Sequence, residues 1–267
     1  AAAAAFERAR KLEPGHAAAT FNLAVVYGHA GELDRAHRLL AGLEVDDEPE
    51  IVALHRASLG EIDLLLGDHA AARVAAATAV ELAPEAAVGQ LLAARLELAD
   101  GRPRSAVERL RPLAARTPGS AGLVYWTARA EIAAGELSAA RQRLGAAARS
   151  RGLTAETALG LLAHLRAADG DRAGARRAAG RLDALLAAHP EHEGWAPRLH
   201  AAEAAAALGD ADAALTQLDA AVARGLVDAV GVASDPAFGG LREEPRFVAL
   251  LGEMERRVEL LRRRMGR

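Results

Sequence analysis

Few residues in this 267-residue chain have the type and spacing needed for bond-making chemistry. The tightest histidine pair is His189-Pro190-Glu191-His192, with His200 further along. Two imidazoles and a carboxylate could ligate a metal, but Pro190 keeps the pair off a shared helical face and nothing completes the set. An exposed loop is expected there, and no metal. Glu243-Glu244 lies just before Pro245 and reads as first-turn charge at a helix N-terminus rather than as an acid–base dyad. Lys11, the only lysine, is followed by Leu12, so there is no P-loop; G-x-S-x-G, H-E-x-x-H and G-x-G-x-x-G are missing too. With no cysteine, neither a disulfide nor a thiolate metal site can form. No catalytic residue, metal or cofactor is expected, and the chain is not read as an enzyme.

The elements and their surface must then carry the function. The chain is 51% hydrophobic, 26% charged and only 3% aromatic, and 70 of its residues are alanine. That much buriable material argues against disorder. The balance of 33 basic and 36 acidic residues, net −3, makes no general field for nucleic acid or anionic lipid. The longest stretch free of charged residues, Pro14 to Gly31, contains one proline, two histidines and three glycines. It is a poor bilayer-crossing helix, so membrane insertion is not expected. Ala1 to Ala5 lacks the basic start of a signal peptide. The absence of cysteine fits cytoplasm, which is favoured, and equally periplasm with a leader removed upstream.

Alanine and leucine recur at helical spacing nearly throughout, with no sustained strand-type alternation. Punctuation is more informative. Prolines fall at Pro14, Pro49, Pro84 and Pro118, at intervals of 35, 35 and 34. Glycines fall at Gly31, Gly67, Gly101, Gly135, Gly170 and Gly209, at intervals of 36, 34, 34, 35 and 39. Two interleaved series of nearly one period mean a helical hairpin, repeated. Each glycine is expected to supply a left-handed turn, and each proline to close the second helix.

A unit of 34 residues with small residues at fixed places and a closing proline resembles the tetratricopeptide repeat. Leu59, Gly60, Gly67, Ala72, Ala76, Ala79 and Pro84 carry the match in one unit; Ala93, Ala94, Gly101, Ala106, Leu110 and Pro118 carry it in the next. The resemblance implies an all-α, right-handed superhelical solenoid of helix-turn-helix repeats with a C-terminal capping helix. The array is expected over residues 1–224, with a partial repeat at 1–16 and repeats from about 17, 53, 87, 121, 155 and 195; residues 225–267 form the cap. Asp235-Pro236 and Glu244-Pro245 read as proline-opened helix starts, and Phe238, Phe247, Leu250, Leu251 and Val258 as cover for the last hairpin. Arg262-Arg263-Arg264 is read as a solvated, fraying end. Ala2, Phe6, Ala9 and Pro14 match a second helix without its first, so truncation is favoured over a native start. The uncovered Phe6 stripe would take upstream sequence, a ligand or a second copy of the chain, which allows a homo-oligomer.

The resemblance further implies that first helices line an inner, concave side. Its inward positions fall on Phe21, Val25 and His29, then Ala57, Glu61 and Leu64, then Leu91, Arg95 and Leu98. Tyr125, Arg129 and Ile132 follow, then Leu159 and Arg166, then Leu199 and Glu203. Arg95, Arg129 and Arg166 could form a ladder gripping carboxylates or carbonyls; pairing with Glu61, Glu97, Glu131 or Glu156 is the alternative. The family's carboxylate clamp is absent, since Val25, Glu61, Arg95 and Arg129 stand where its asparagines would. Asn22 alone does not make an asparagine ladder. The expected function is a non-catalytic protein–protein interaction scaffold or adaptor binding a peptide or protein segment in this groove. The alternative is a regulatory or oligomerisation module of a larger bacterial enzyme or signalling protein.

Overall fold

The computed structural model describes residues 2–13, 16–45, 48–189 and 194–266. Among them there are helices and no strands. A lone helix, α1 (Ala2–Leu12), precedes six helical hairpins. These are α2 (Ala17–His29) with α3 (Leu33–Ala41), α4 (Pro49–Leu65) with α5 (His69–Leu82), and α6 (Ala87–Ala99) with α7 (Pro103–Arg116). Then come α8 (Ala121–Ala133) with α9 (Leu137–Ala147), α10 (Leu153–Ala168) with α11 (Arg172–Ala188), and α12 (Trp195–Ala207) with α13 (Ala211–Ala223). Short α14 (Ala229–Ser234), a 3-10 turn (Pro236–Leu241) and long α15 (Pro245–Arg264) end the chain. This is an all-α array of hairpins, of the solenoid class.

One local device makes all six hairpin turns. Gly31, Gly67, Gly101, Gly135, Gly170 and Gly209 have φ between +70° and +81°, a region open to glycine. The residue after each glycine donates its N–H to a carbonyl five positions back: Glu32 to Tyr27, Asp68 to Asp63, Arg102 to Glu97, Glu136 to Glu131, Asp171 to Arg166 and Asp210 to Ala205. This Schellman closure satisfies a helix-end carbonyl and starts the next helix in a fixed direction. Aspartates then cap: Asp68 accepts from the Ala71 N–H at 3.0 Å and Asp210 from the Ala213 N–H at 2.9 Å. Prolines are less uniform than the sequence suggests. Pro84 and Pro118 follow the ends of α5 and α7, but Pro49 opens α4, where its missing N–H would be unpaired anyway. Pro14 lies outside the described residues.

The chain divides into two compact units, residues 1–96 with 256–267, and residues 97–255. In the first, Ala53, Ala57, Ala72, Ala76 and Ala79 pack with Leu92 and Leu96. Alanine at these crossings lets backbones approach closely while leucine fills the remainder. Arg262 belongs to this unit and donates from Nε to the Leu66 carbonyl at 2.6 Å. The expectation of a fraying arginine end therefore fails at Arg262: a helix-end carbonyl needs a donor, and the guanidinium supplies it.

In the second unit, Val124, Leu144, Leu159, Leu161, Leu165 and Leu182 form one core around alanines. A second core joins Leu199, Leu215 and Leu218 to Phe238, Phe247 and Met254. Phe238 and Phe247 are fully buried with ring centroids 5.8 Å apart, so the C-terminal elements cover the last hairpin as a solenoid end requires. Two hairpins carry the same internal ion pair. Buried Glu97 takes Arg109 at 2.6 Å, and buried Glu131 takes Arg143 at 2.8 Å.

Candidate functional site

The inward positions on the first helices are best followed unit by unit. In the first unit, Arg95 of α6 pairs with Glu61 of α4, the side chain of Arg95 10% exposed and that of Glu61 40% exposed. Their pairing shows that equivalent positions of neighbouring first helices face one another. Phe21 of α2 is half-buried and meets His55 edge-on at 6.0 Å; His55 Nε2 in turn lies 2.8 Å from the Leu40 carbonyl. Val25 is 53% exposed, His29 is exposed, and Leu64 and Leu91 are half-buried.

In the second unit most of the first two inward positions are closed, while Leu98, Ile132 and Arg166 at the third are half-buried. Tyr125, Leu159, Leu199 and Glu203 are buried. Tyr125 donates its hydroxyl proton to Glu203 Oε1 at 2.9 Å and accepts from Arg129 Nη1 at 2.9 Å. Glu203 Oε2 also lies 3.1 Å from His200 Nδ1, and the His200 and Tyr125 rings meet edge-on at 5.2 Å. Gly160 on α10 makes room for this cluster, because a Cβ there would stand 2.6 Å from Glu203 Oε2 and 2.7 Å from the His200 carbonyl. Arg166 donates to the Gly174 carbonyl at 3.1 Å.

Arg129 is engaged from a direction the repeat pattern does not contain. Its Nη1 lies 2.5 Å from Asp235 Oδ2, and its Nη2 donates to the Gly231 carbonyl at 3.3 Å. Asp235 is almost wholly buried and also accepts the Ala237 N–H at 2.8 Å through Oδ1. Burial raises the Asp235 pKa, and it outweighs the opposing pull of Arg129. Burial likewise holds the Tyr125 hydroxyl well above its ordinary pKa, so it remains a donor. Arg129 stays charged despite burial, held by Tyr125, Asp235 and Glu203.

The structure thus brings Tyr125, Arg129 and Glu203 together, and Arg95 with Glu61, whereas Arg166 turns to its own hairpin. Sequence reasoning missed Asp235 as a partner of Arg129. Its Asp-Pro context signals a helix start, and nothing in it signals a contact 106 residues away. His200 points to Glu203 within the core; Pro190, Glu191 and His192 lie outside the described residues. Among the described residues, no three His, Asp or Glu side chains group as a metal site would require. No helix among them is long and apolar enough to cross a membrane.

Comparison with known proteins agrees with this architecture. A family profile described as tetratricopeptide repeat matches residues 1–58 and 97–165. The crystal structure of a Rap protein complexed with competence and sporulation factor is similar, with TM-score 0.65 and 14% identity over 91% of this chain and 75% of that one. The Cut9 and Hcn1 hetero-tetramer of APC/C is similar with TM-score 0.62 and 16% identity, covering 98% of this chain and 51% of that one. No curated protein sequence matches the chain. On its glycine-turned hairpins and the two matched segments, the chain is similar to the tetratricopeptide repeat family.

Proposed function

We propose that this chain is a non-catalytic scaffold or adaptor that holds a polypeptide segment against the inner positions of α2, α4 and α6. One observation carries the reading: Phe21, Val25 and Leu91 stay partly open at the first two inward positions, whereas Tyr125, Leu159, Leu199 and Glu203 at the equivalent positions of the second unit are buried. His29 and Leu64 add a third row that is exposed or half-buried, as it is in the second unit. Apolar side chains of a partner would bury against Phe21, Val25 and Leu91. Arg95, oriented by Glu61, would meet a carboxylate or carbonyl. Two structures of similar fold support the reading, one being a complex with a factor and the other a hetero-tetramer of two proteins.

A photo-crosslinking amino acid placed at Val25, and separately at Val74, tests this. Val74 is 69% exposed but lies on α5, a second helix. The expected result is one polypeptide captured from Val25 and not from Val74. Equal capture from both positions, or none from Val25, refutes the inner-face reading.

A further inference from the structure

Three helices of the first unit send residues one turn apart into a pocket of about 550 Å³, away from the inner positions. Leu23 and Tyr27 of α2, both buried, line it; Arg10 and Lys11 come from α1, and Arg35 and Arg38 from α3. Two of the four cations are neutralised locally. Arg35 holds Glu32 at 2.5 Å and the Tyr27 hydroxyl at 2.5 Å, and Arg38 holds Asp34 at 3.2 Å. Glu7, the carboxylate on the wall, accepts the Tyr27 hydroxyl proton at 2.5 Å.

Arg10 and Lys11 differ. Neither forms an ion pair with a described residue, and Arg10 Nε is buried without a hydrogen-bond partner. Arg10 thus lines the cavity as a permanent cation with one N–H that lacks an acceptor, and such a group calls for an anion. A guanidinium fork beside an ammonium suits two oxygens of one carboxylate or phosphate. Leu23 and the Tyr27 ring offer a surface for an apolar body, and the volume is that of a small-molecule site. We propose that this pocket is an oxyanion site, in which Arg10 and Lys11 hold the carboxylate or phosphate oxygens of a small ligand.

Calorimetric titration of the full chain at low salt, with inorganic phosphate in one arm and succinate in the other, tests it. Saturable binding in at least one arm is expected, weakened tenfold or more by Arg10→Gln and unchanged by Arg8→Gln, a residue of α1 outside the pocket. The arm that binds identifies the source of the oxygens. Arginine side-chain NMR of the wild type gives a second readout: the Arg10 Nε–H resonance shifts as the binding anion is added. No binding in either arm, equal weakening by both substitutions, or an unmoved Arg10 resonance overturns the proposal.

Discussion

Alanine at position 160 is expected to force α10 and α12 apart. Its Cβ would lie 2.6 Å from Glu203 Oε2, 2.7 Å from the His200 carbonyl and 3.2 Å from the His200 Cα. Two of those atoms belong to the backbone of α12, so no rotamer change relieves the overlap. Overpacking of this kind costs about 1–3 kcal/mol, while replacing a helix-interior glycine returns about 0.8–1 kcal/mol. The net expectation is a loss of about 0–2 kcal/mol, where each kcal/mol lowers Tm by roughly 2–4 °C in a chain of this size. Gly180, inside α11, is the internal reference, because a Cβ there meets nothing within 4 Å. Gly180→Ala should therefore stabilise by about 0.5–1 kcal/mol. Urea and thermal unfolding followed by far-ultraviolet circular dichroism compare the two. If Gly160→Ala stabilises as Gly180→Ala does, the close approach of α10 and α12 is wrong.

The remaining expectations concern polar groups. Asp235→Ala strips the carboxylate from buried Arg129 and should cost about 3–5 kcal/mol in urea unfolding, whereas Asp235→Asn keeps acceptors and should cost clearly less. The folded pKa of Asp235 is raised above the ordinary 3.8, so its proton contributes stability below that value that is lost as pH rises through the folded pKa. The stability of wild type minus that of Asp235→Asn should accordingly fall as pH is raised from about 4, and a difference that grows over that range refutes the assignment. Asp210→Ala removes the cap on the Ala213 N–H and should lower stability by about 1 kcal/mol, read as a fall in Tm.

The hairpins were legible because their turns are set locally. A positive φ needs glycine wherever it occurs, and six such turns at nearly one spacing announce the architecture before any packing is known. The resemblance to the tetratricopeptide repeat puts Tyr125, Arg129 and Glu203 at equivalent positions of their first helices, and their side chains touch. Longer-range chemistry was not legible. Asp235 serves as the helix cap its Asp-Pro context suggests, through Oδ1, yet its other oxygen holds Arg129. One short carboxylate with two jobs shows only the nearby one in sequence. Pro49 illustrates a different limit: proline ends one helix or begins the next with equal ease, and spacing alone did not choose. Arg10 and Lys11 match no motif, because what distinguishes them is the surrounding helices.

The twelve-residue link from Glu97 to Arg109, repeated from Glu131 to Arg143, has a genetic corollary. Both partners of each bond sit inside one hairpin, so the buried acid is matched within its own stretch. Recombination that doubles or drops a whole such stretch leaves each deeply placed acid with its counterion. An insertion or deletion that is not a whole period and takes the acid or the base alone would strand a charge in the interior, at a cost of several kcal/mol. Arrays of this design are thus free to lengthen or shorten in whole periods and resist other changes of length.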